Sequence, residues 1–218
     1  MIKLVIFDYD GVIVDSFSNV YDIYKIMSDE LKITVPDTIE KFRNVYGYDF
    51  HECYRNLGLC DEKQKKAAEI FKREIITKEA NIFDGIKETL DWLNNKYILT
   101  LVSSNYTEEV MQKLNNYDLD KYFSMIAGQE YGDGEIDKSI EFISILEKYN
   151  LKGNEVIAVG DRLSDYEAGK KAGIDHIILV EYGWGYDKNK IPGRKFIINE
   201  PRQLIDAVKE IDVSFCSL

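Results

Sequence analysis

Residues 2–11 read IKLVIFDYDG, an apolar run that ends in two aspartates and a glycine. Five of the six residues in the 2–7 run are apolar, a pattern typical of a strand buried on both faces in a parallel sheet. Asp8 and Asp10 emerge where this strand ends, and Gly11 allows the backbone to turn sharply after them. Because two buried anions side by side are costly unless a cation balances them, the pair is either an acidic loop or a metal-assisted reaction site.

A second pair of aspartates follows a second apolar segment. Residues 155–160 read EVIAVG, Asp161 comes directly afterwards, and Asp165 lies four residues further on. Residues 163–172 have the apolar spacing of a helix that stops at Gly173. A helical first turn places carboxylates four residues apart on the same face, so we expect Asp161 and Asp165 to converge.

A third apolar segment, residues 97–102, is followed by two hydroxyl side chains, Ser103 and Ser104. In open α/β sheets, ligands bind beyond the carboxyl ends of the strands. Asp8, Ser103 and Asp161 all take such positions in the sequence. We therefore expect one site to which all three strands contribute.

Lys138 begins a further helical segment. We expect one apolar stripe on this helix, formed by Ile140, Ile143, Leu146 and Tyr149. A cation in the first turn of a helix is opposed by the helix dipole, by ~0.3–1 kcal/mol. Lys138 is therefore either an ordinary solvated lysine or a lysine paired with anions, and the predicted carboxylates nearby favour pairing.

Together these segments resemble the four motifs of the haloacid dehalogenase-like hydrolase superfamily. The motifs stand at residues 8–16 (DYDGVIVDS), 101–105 (LVSSN), 138 (K) and 160–165 (GDRLSD). They occur in the order found in the family, and the resemblance spans nearly the whole chain. Residues 181–186 (EYGWGY) also resemble the phosphoglycolate phosphatase-like branch of that family.

Helical and strand-like segments alternate from about residue 82 onward, which favours an α/β sheet covered by helices. Residues 17–80 contain no convincing strand and are expected to be helical. The resemblance implies a Rossmann-like parallel sheet with helices on both faces, formed by residues 1–15 and 82–218. It places a small all-helical cap domain at residues 16–81, as in the branch that includes phosphoglycolate phosphatase and β-phosphoglucomutase.

The resemblance also implies a mechanism. Asp8 is expected to attack phosphorus and form an aspartyl phosphate, while Asp10 acts as general acid and base. Mg²⁺ is the implied cofactor, bound by the Asp8 carboxylate, the Asp10 backbone carbonyl and Asp161, with Asp165 directly behind them. The presence of Asp10 disfavours the dehalogenase branch, whose members lack that second aspartate.

Two side chains, Ser103 and Lys138, are the expected donors to the phosphoryl oxygens. Backbone N–H groups after Asp8, at Gly11, and near Ser104 are expected to add to them. Ser104 is the alternative to Ser103, because either hydroxyl of the doublet fits the motif.

A break between two predicted cap helices carries a cluster of polar and aromatic residues. The cluster comprises Arg43, Tyr46, Gly47, His51 and Arg55. Each of them either reaches the substrate or belongs to an ordinary exposed turn, and the sequence leaves both interpretations open.

The function predicted from these features is a Mg²⁺-dependent phosphatase that hydrolyses a small phosphorylated metabolite resembling phosphoglycolate or a sugar phosphate. One alternative is a phosphomutase of the β-phosphoglucomutase type, which shares all four motifs. Another is a catalytically silent binding module on the same fold. That module predicts the loss of at least one motif residue, and none is lost.

The composition restricts the partners of the protein. A net charge of −11 works against binding to nucleic acids or anionic membranes. The partner implied by the resemblance is a small phosphate ester. Three cysteines without CxxC spacing and only two histidines argue against a zinc site. Free thiols, a short apolar amino terminus and the lack of a membrane-spanning run predict a cytoplasmic protein. The sequence leaves open whether the protein is a monomer or a homodimer.

Overall fold

Six parallel strands form the central sheet of the computed structural model, which describes residues 1–47, 50–130, 136–185 and 196–214. The strands in chain order are β1 (Leu4–Phe7), β2 (Val14–Asp15), β3 (Asn81–Ile82), β4 (Ile98–Tyr106), β5 (Met125–Gln129), β6 (Val156–Gly160), β7 (His176–Val180) and β8 (Ile197–Ile198). The large sheet has the order β5-β4-β1-β6-β7-β8, and β2 and β3 form a separate pair. All the pairings in the large sheet are parallel, which confirms the predicted parallel α/β fold.

Helices accompany these strands. In chain order they are α1 (Phe17–Leu31), α2 (Ile39–Tyr46), α3 (Phe50–Asn56), α4 (Asp61–Ile75), α5 (Ile86–Asn94), α6 (Thr107–Asn116), α7 (Lys138–Tyr149), α8 (Leu163–Lys171) and α9 (Gln203–Ser214). Within the described part of the chain, no helix is both long and apolar enough to cross a membrane.

Phe7 at the carboxyl end of β1 lies between two neighbouring strands. It lies opposite Leu101 of β4 and Val159 of β6. Asp8 follows Phe7, and its N–H donates to the carbonyl of Val159 at 2.9 Å. The residues that follow these three positions therefore meet at one edge of the sheet.

Both faces of the sheet are buried. Leu4 and Ile6 of β1 share a hydrophobic cluster with Phe142 and Ile145 of α7. The intervening residues of β1 point to the opposite face, because side chains alternate along a strand, and they are equally buried. This two-sided burial explains why the strand sequence is almost continuously apolar.

Helix α7 divides the residues of its predicted apolar stripe. Ile140 is 61% and Ile143 39% exposed, whereas Leu146 and Tyr149 pack against the core together with the buried Phe142 and Ile145. The prediction that Ile140, Ile143, Leu146 and Tyr149 form one apolar stripe is therefore wrong for the two isoleucines. Apolar residues occupy two adjacent stripes of this helix, so their periodicity alone does not choose between the stripes.

The β4 segment is longer than predicted. The strand runs past residue 102 to Tyr106, with a shift of register against β5 between Val102 and Tyr106. It therefore carries Ser103, Ser104 and Asn105 within an irregular part of the strand rather than in a loop after it. Strand β5 was not predicted from the sequence.

The chain divides into two compact units, one formed by residues 1–14 and 82–218 and the other by residues 15–81. The second unit contains helices α1 to α4, with α1 and α4 in contact. Aromatic rings fill its interior, among them Tyr24, Phe42 and Tyr54, which are 0–2% exposed. The rings of Tyr24 and Phe42 are 4.9 Å apart between centroids, within the range of favourable aromatic pairs.

Candidate active site

An ion pair between Lys138 and Asp8 lies at the carboxyl edge of the sheet. Lys138 is the first residue of α7, and its Nζ lies 2.8 Å from Asp8 Oδ1 and 2.6 Å from Asp165 Oδ1. Its side chain is only 11% exposed. Asp8 Oδ1 also accepts a hydrogen bond from the N–H of Tyr9 at 2.7 Å. Lys138 is therefore held between two carboxylates and is not a solvated surface lysine.

Two further carboxylates lie beside this ion pair. Asp161 follows the last residue of β6 but precedes α8, so the expectation that it shares a helical turn with Asp165 is wrong. Asp165 is the third residue of α8, and its Oδ2 accepts from the N–H of Arg162 at 3.1 Å. One oxygen from each of Asp8, Asp161 and Asp165 nevertheless lies within 4.8 Å of the others. The turn between β6 and α8 brings the carboxylates together, rather than helical spacing.

The charges in this cluster do not balance, because three buried carboxylates face one ammonium group. Burial, and then the charge of Asp165, raises the pKa of Asp8 well above its ordinary value, although Lys138 opposes this. Burial also raises the pKa of Asp161 to about 7. Burial alone would lower the pKa of Lys138, but the charges of Asp165 and Asp8 outweigh it and raise that pKa. The cluster therefore carries more negative than positive charge when its carboxylates are ionised.

The donor set fits a divalent cation. Asp161 Oδ1 is buried and has no hydrogen-bond partner among the described residues, while Oδ2 accepts from the N–H groups of Trp184 and Gly185. Both oxygens of Asp165 already accept hydrogen bonds, one from the lysine and one from a backbone N–H. Since hard divalent cations prefer oxygen ligands, Asp8 and Asp161 are the side chains best placed to hold one.

Asp10 contacts Asn105, a residue with no role predicted from the sequence. Asn105 Nδ2 donates to Asp10 Oδ2 at 2.6 Å, and the N–H of Asn105 donates to Ser103 Oγ at 3.1 Å. The only signal in the sequence was an amide residue two positions after the first hydroxyl of the strand. Asn105 therefore connects Ser103 to Asp10, and no described contact connects Ser104 to Asp10. Ser103 is also fully buried, whereas Ser104 is exposed.

The Asp10 carboxylate is not among the three that cluster, which are those of Asp8, Asp161 and Asp165. Its expected contribution to metal binding is through the backbone carbonyl, and this stays a prediction.

Gly11 makes room for a carboxylate. Its φ is +76°, and a Cβ there would lie 2.1 Å from Asp161 Oδ2, so no other residue fits this turn without displacing Asp161. The N–H of Gly11 donates to the carbonyl of Val14 at 2.9 Å. Because that N–H is already bonded within the turn, the expectation that it binds phosphate is not supported by this geometry.

The cap residues singled out from the sequence all lie in the helical unit. Tyr46 is buried, with its ring 6.1 Å from that of Phe17, and so belongs to the aromatic interior. Arg43 is exposed, with its guanidinium carbon 4.5 Å from the centre of the Phe17 ring. Gly47 ends α2 with a φ of +73°, and His51 is half-buried in α3. Burial therefore gives Tyr46 a structural role within this unit.

Known proteins resemble this chain over nearly its whole length. The family model described as haloacid dehalogenase-like hydrolase matches residues 5–179. A phosphorylated carbohydrates phosphatase from Thermotoga maritima is 27% identical over 96% of this chain and 99% of its own length. A phosphoglycolate phosphatase from Aquifex aeolicus is 26% identical over 98% of this chain and 100% of its own length.

A solved structure shares the fold. The haloacid dehalogenase-like family hydrolase from Streptococcus pneumoniae superimposes with a TM-score of 0.84 at 21% identity, over 94% of this chain and 97% of that one. The match of the family model extends from within β1 to within β7 and includes all four motifs. The resemblance noted in the sequence is thus confirmed, and the chain belongs to the haloacid dehalogenase-like hydrolase family.

Proposed function

We propose that this protein is a Mg²⁺-dependent phosphatase that hydrolyses a small phosphorylated metabolite through an aspartyl phosphate on Asp8. Phosphatase activity is supported by family membership and by the relatives named for the hydrolysis of phosphorylated carbohydrates and of phosphoglycolate. One observation carries the finer proposal. The buried Asp8 carboxylate contacts the Lys138 ammonium at 2.8 Å and lies beside Asp161, which has an unpartnered oxygen among the described residues.

The first chemical step is assigned to Asp8. One of its carboxylate oxygens attacks phosphorus, the P–O bond to the leaving group breaks, and an acyl phosphate forms on the side chain. Lys138 and the N–H of Tyr9 hold Asp8 Oδ1, so the carboxylate has a defined orientation before substrate arrives.

Asp10 is assigned the proton transfers. In its protonated form it gives a proton to the leaving oxygen in the first step. It then takes a proton from the water that attacks the phosphorus of the acyl phosphate, which releases inorganic phosphate and restores Asp8. The hydrogen bond from Asn105 Nδ2 orients the Asp10 carboxyl group for both transfers.

Charge on the transferring phosphoryl group is balanced by Lys138 and by a hydroxyl. Lys138 stays protonated between its two carboxylates. Ser103 is buried, and among the described contacts its Oγ only accepts a hydrogen bond, from a backbone N–H. The hydroxyl proton of Ser103 is therefore free to be donated to a phosphoryl oxygen. Such donors act by electrostatic stabilisation of the equatorial oxygens. Mg²⁺, held by Asp8, Asp161 and the Asp10 carbonyl, would supply further positive charge against the phosphoryl oxygens.

The substrate class follows from the relatives. Phosphorylated carbohydrates and phosphoglycolate are both small phosphate monoesters. Because the chain has a net charge of −11 and its carboxylate cluster is itself negative, the positive charge that a bound Mg²⁺ would add to Lys138 is needed to attract them.

The proposal is tested by release of inorganic phosphate from a panel of sugar phosphates and 2-phosphoglycolate. The assay compares Mg²⁺ with EDTA, and wild type with Asp8→Asn. Asp206→Asn serves as the matched control, because Asp206 lies on α9 and is 83% exposed. We expect release that requires Mg²⁺, is lost in Asp8→Asn by several orders of magnitude and is kept in the control. Release that is equal in wild type and Asp8→Asn would refute the covalent mechanism.

A further inference from the structure

The loop after β7 contacts Asp161 through its backbone. The N–H groups of Trp184 and Gly185 donate to Asp161 Oδ2 at 2.8 and 3.1 Å. Two successive N–H groups directed at one oxygen form a concave anion site, and hydrogen bonds to an ionised carboxylate are stronger than neutral ones. Asp161 itself is completely buried, so these bonds are not shared with bulk water.

The loop approaches Asp161 too closely to allow a side chain at Gly183. A Cβ at this position would lie 2.4 Å from Asp161 Cβ, 2.6 Å from its Oδ2 and 2.6 Å from the carbonyl oxygen of Gly11. Gly183 does not have a positive φ, so the requirement for glycine here comes from space and not from backbone conformation.

The loop is also anchored at its start. The hydroxyl of Tyr182 donates to the carbonyl of Val12 at 3.2 Å, and its ring packs against Phe83 with centroids 4.8 Å apart. The anchor joins the loop to the same turn, after β1, that carries Asp10 and Gly11.

We propose that residues 182–185 are a positioning element for Asp161. The loop holds Oδ2 with two backbone N–H groups and thereby leaves Oδ1, which has no partner among the described residues, as the atom that binds the metal. The inference rests on the proposed metal-dependent function. It assigns a role to this aromatic and glycine loop, whose sequence by itself indicates only a family resemblance.

The test is the affinity for Mg²⁺ of the substrate-free protein, measured by calorimetry on wild type and on Gly183→Ala. Gly169→Ala is the matched control, because its Cβ would also meet a packed atom, Ile177 Cδ1 at 2.8 Å, but no carboxylate. Circular dichroism and thermal melting establish that each variant is folded. Gly183→Ala should melt at lower temperature than wild type, since overpacking is destabilising.

We expect the Kd for Mg²⁺ to rise about 10–100-fold in Gly183→Ala, the range found when groups that orient metal ligands are altered. The Kd should not change in Gly169→Ala. Equal affinities in wild type and folded Gly183→Ala would overturn this inference alone. A wild-type protein that binds no Mg²⁺ would overturn the proposed function and this inference with it.

A second measurement does not depend on the folding of Gly183→Ala or on metal. Amide hydrogen exchange at Trp184 and Gly185 is compared between wild type and Asp161→Ala, both in EDTA. Loss of the carboxylate should make these two amides exchange faster, because their acceptor is gone. Unchanged protection in Asp161→Ala would show that the carboxylate does not bind the loop, and would overturn the inference.

Discussion

Replacing Lys138 by methionine removes the only ammonium group that contacts the buried carboxylates in the described cluster. Nζ lies 2.8 Å from Asp8 and 2.6 Å from Asp165, and all three side chains are at most 11% exposed. Methionine is close to lysine in length and fills the same space without charge. The variant therefore tests charge pairing rather than packing.

The size of the effect follows from these distances. At an effective dielectric constant of about 20, each contact corresponds to about 6 kcal/mol of Coulomb attraction. The cost of removing the ions from water offsets most of this gain, and breaking a buried pair on one side costs about 3–5 kcal/mol. We therefore expect Lys138→Met to lower the free energy of unfolding by about 3–5 kcal/mol at neutral pH without metal. With a urea m value of about 2 kcal/mol/M, the unfolding midpoint falls by about 2 M.

The assay is urea unfolding in EDTA followed by tryptophan fluorescence. Both tryptophans, Trp92 and Trp184, belong to the α/β unit, so the signal reports on the unit that contains the cluster. Lys148→Met is the matched control, because Lys148 is an exposed lysine on the same helix. We expect the control to stay within about 0.5 kcal/mol of wild type.

A double variant separates pairing from other effects of the substitution. Adding Asp165→Asn to Lys138→Met removes one uncompensated carboxylate. The double variant should therefore lower the free energy of unfolding by less than the sum of the two single variants. The difference, which is the coupling energy between the two residues, should fall within about 0.5–3 kcal/mol. Additive effects, or a Lys138→Met protein as stable as the Lys148→Met control, would refute the conclusion that the Lys138 ammonium stabilises the buried carboxylates by charge pairing.

Three further predictions concern the reaction and the start of α7. Asp10→Ala should lower the rate of phosphate release about 10²–10⁴-fold while calorimetry still detects Mg²⁺ binding, because the side chain serves proton transfer. A small loss of rate would contradict that role. Ser103→Ala should lower the rate of phosphate release about 10²–10³-fold and Ser104→Ala much less, since only Ser103 is connected to Asp10 by described contacts. The reverse order in the same assay would assign the phosphate contact to Ser104. Asp137→Ala should destabilise the protein by about 1 kcal/mol at pH 7, because the side chain of Asp137 caps α7. Asp137 accepts a hydrogen bond from a lysine and another from a serine. The first, and to a smaller extent the second, lowers the pKa of Asp137 to about 2, below its ordinary value. The carboxylate is therefore stabilising above about pH 4. In urea unfolding, the difference in free energy of unfolding between Asp137→Ala and wild type should shrink as pH falls from 4 towards 2. A difference that grows on acidification would contradict this assignment.

Much of the fold could be predicted because its signals are local. The apolar runs before Asp8 and Asp161 are strands buried on both faces, and the structure has β1 and β6 there. Lys138 begins a helix, as its position in the sequence indicated. Such segments are recognisable because side-chain alternation and burial act on neighbouring residues.

Packing choices were less predictable. Helix α7 offers two apolar stripes, and the one with Phe142 and Ile145 faces the sheet while Ile140 and Ile143 do not. Both rotations would bury apolar residues, so only contacts with other elements select one. The bonds from Lys138 to Asp8 and Asp165 are contacts of that kind.

The strands that carry aspartates at their carboxyl ends could be predicted from the sequence, because the strand pattern and the motif residues are adjacent in the chain. The groups that hold those aspartates are set by tertiary contacts. Asn105 reaches Asp10 from 95 residues away, and Trp184 and Gly185 reach Asp161 from 23 and 24 residues away. These contacts depend on the irregular end of β4 and on the path of a loop. Backbone N–H groups leave no signature in residue type, since every residue except proline carries one.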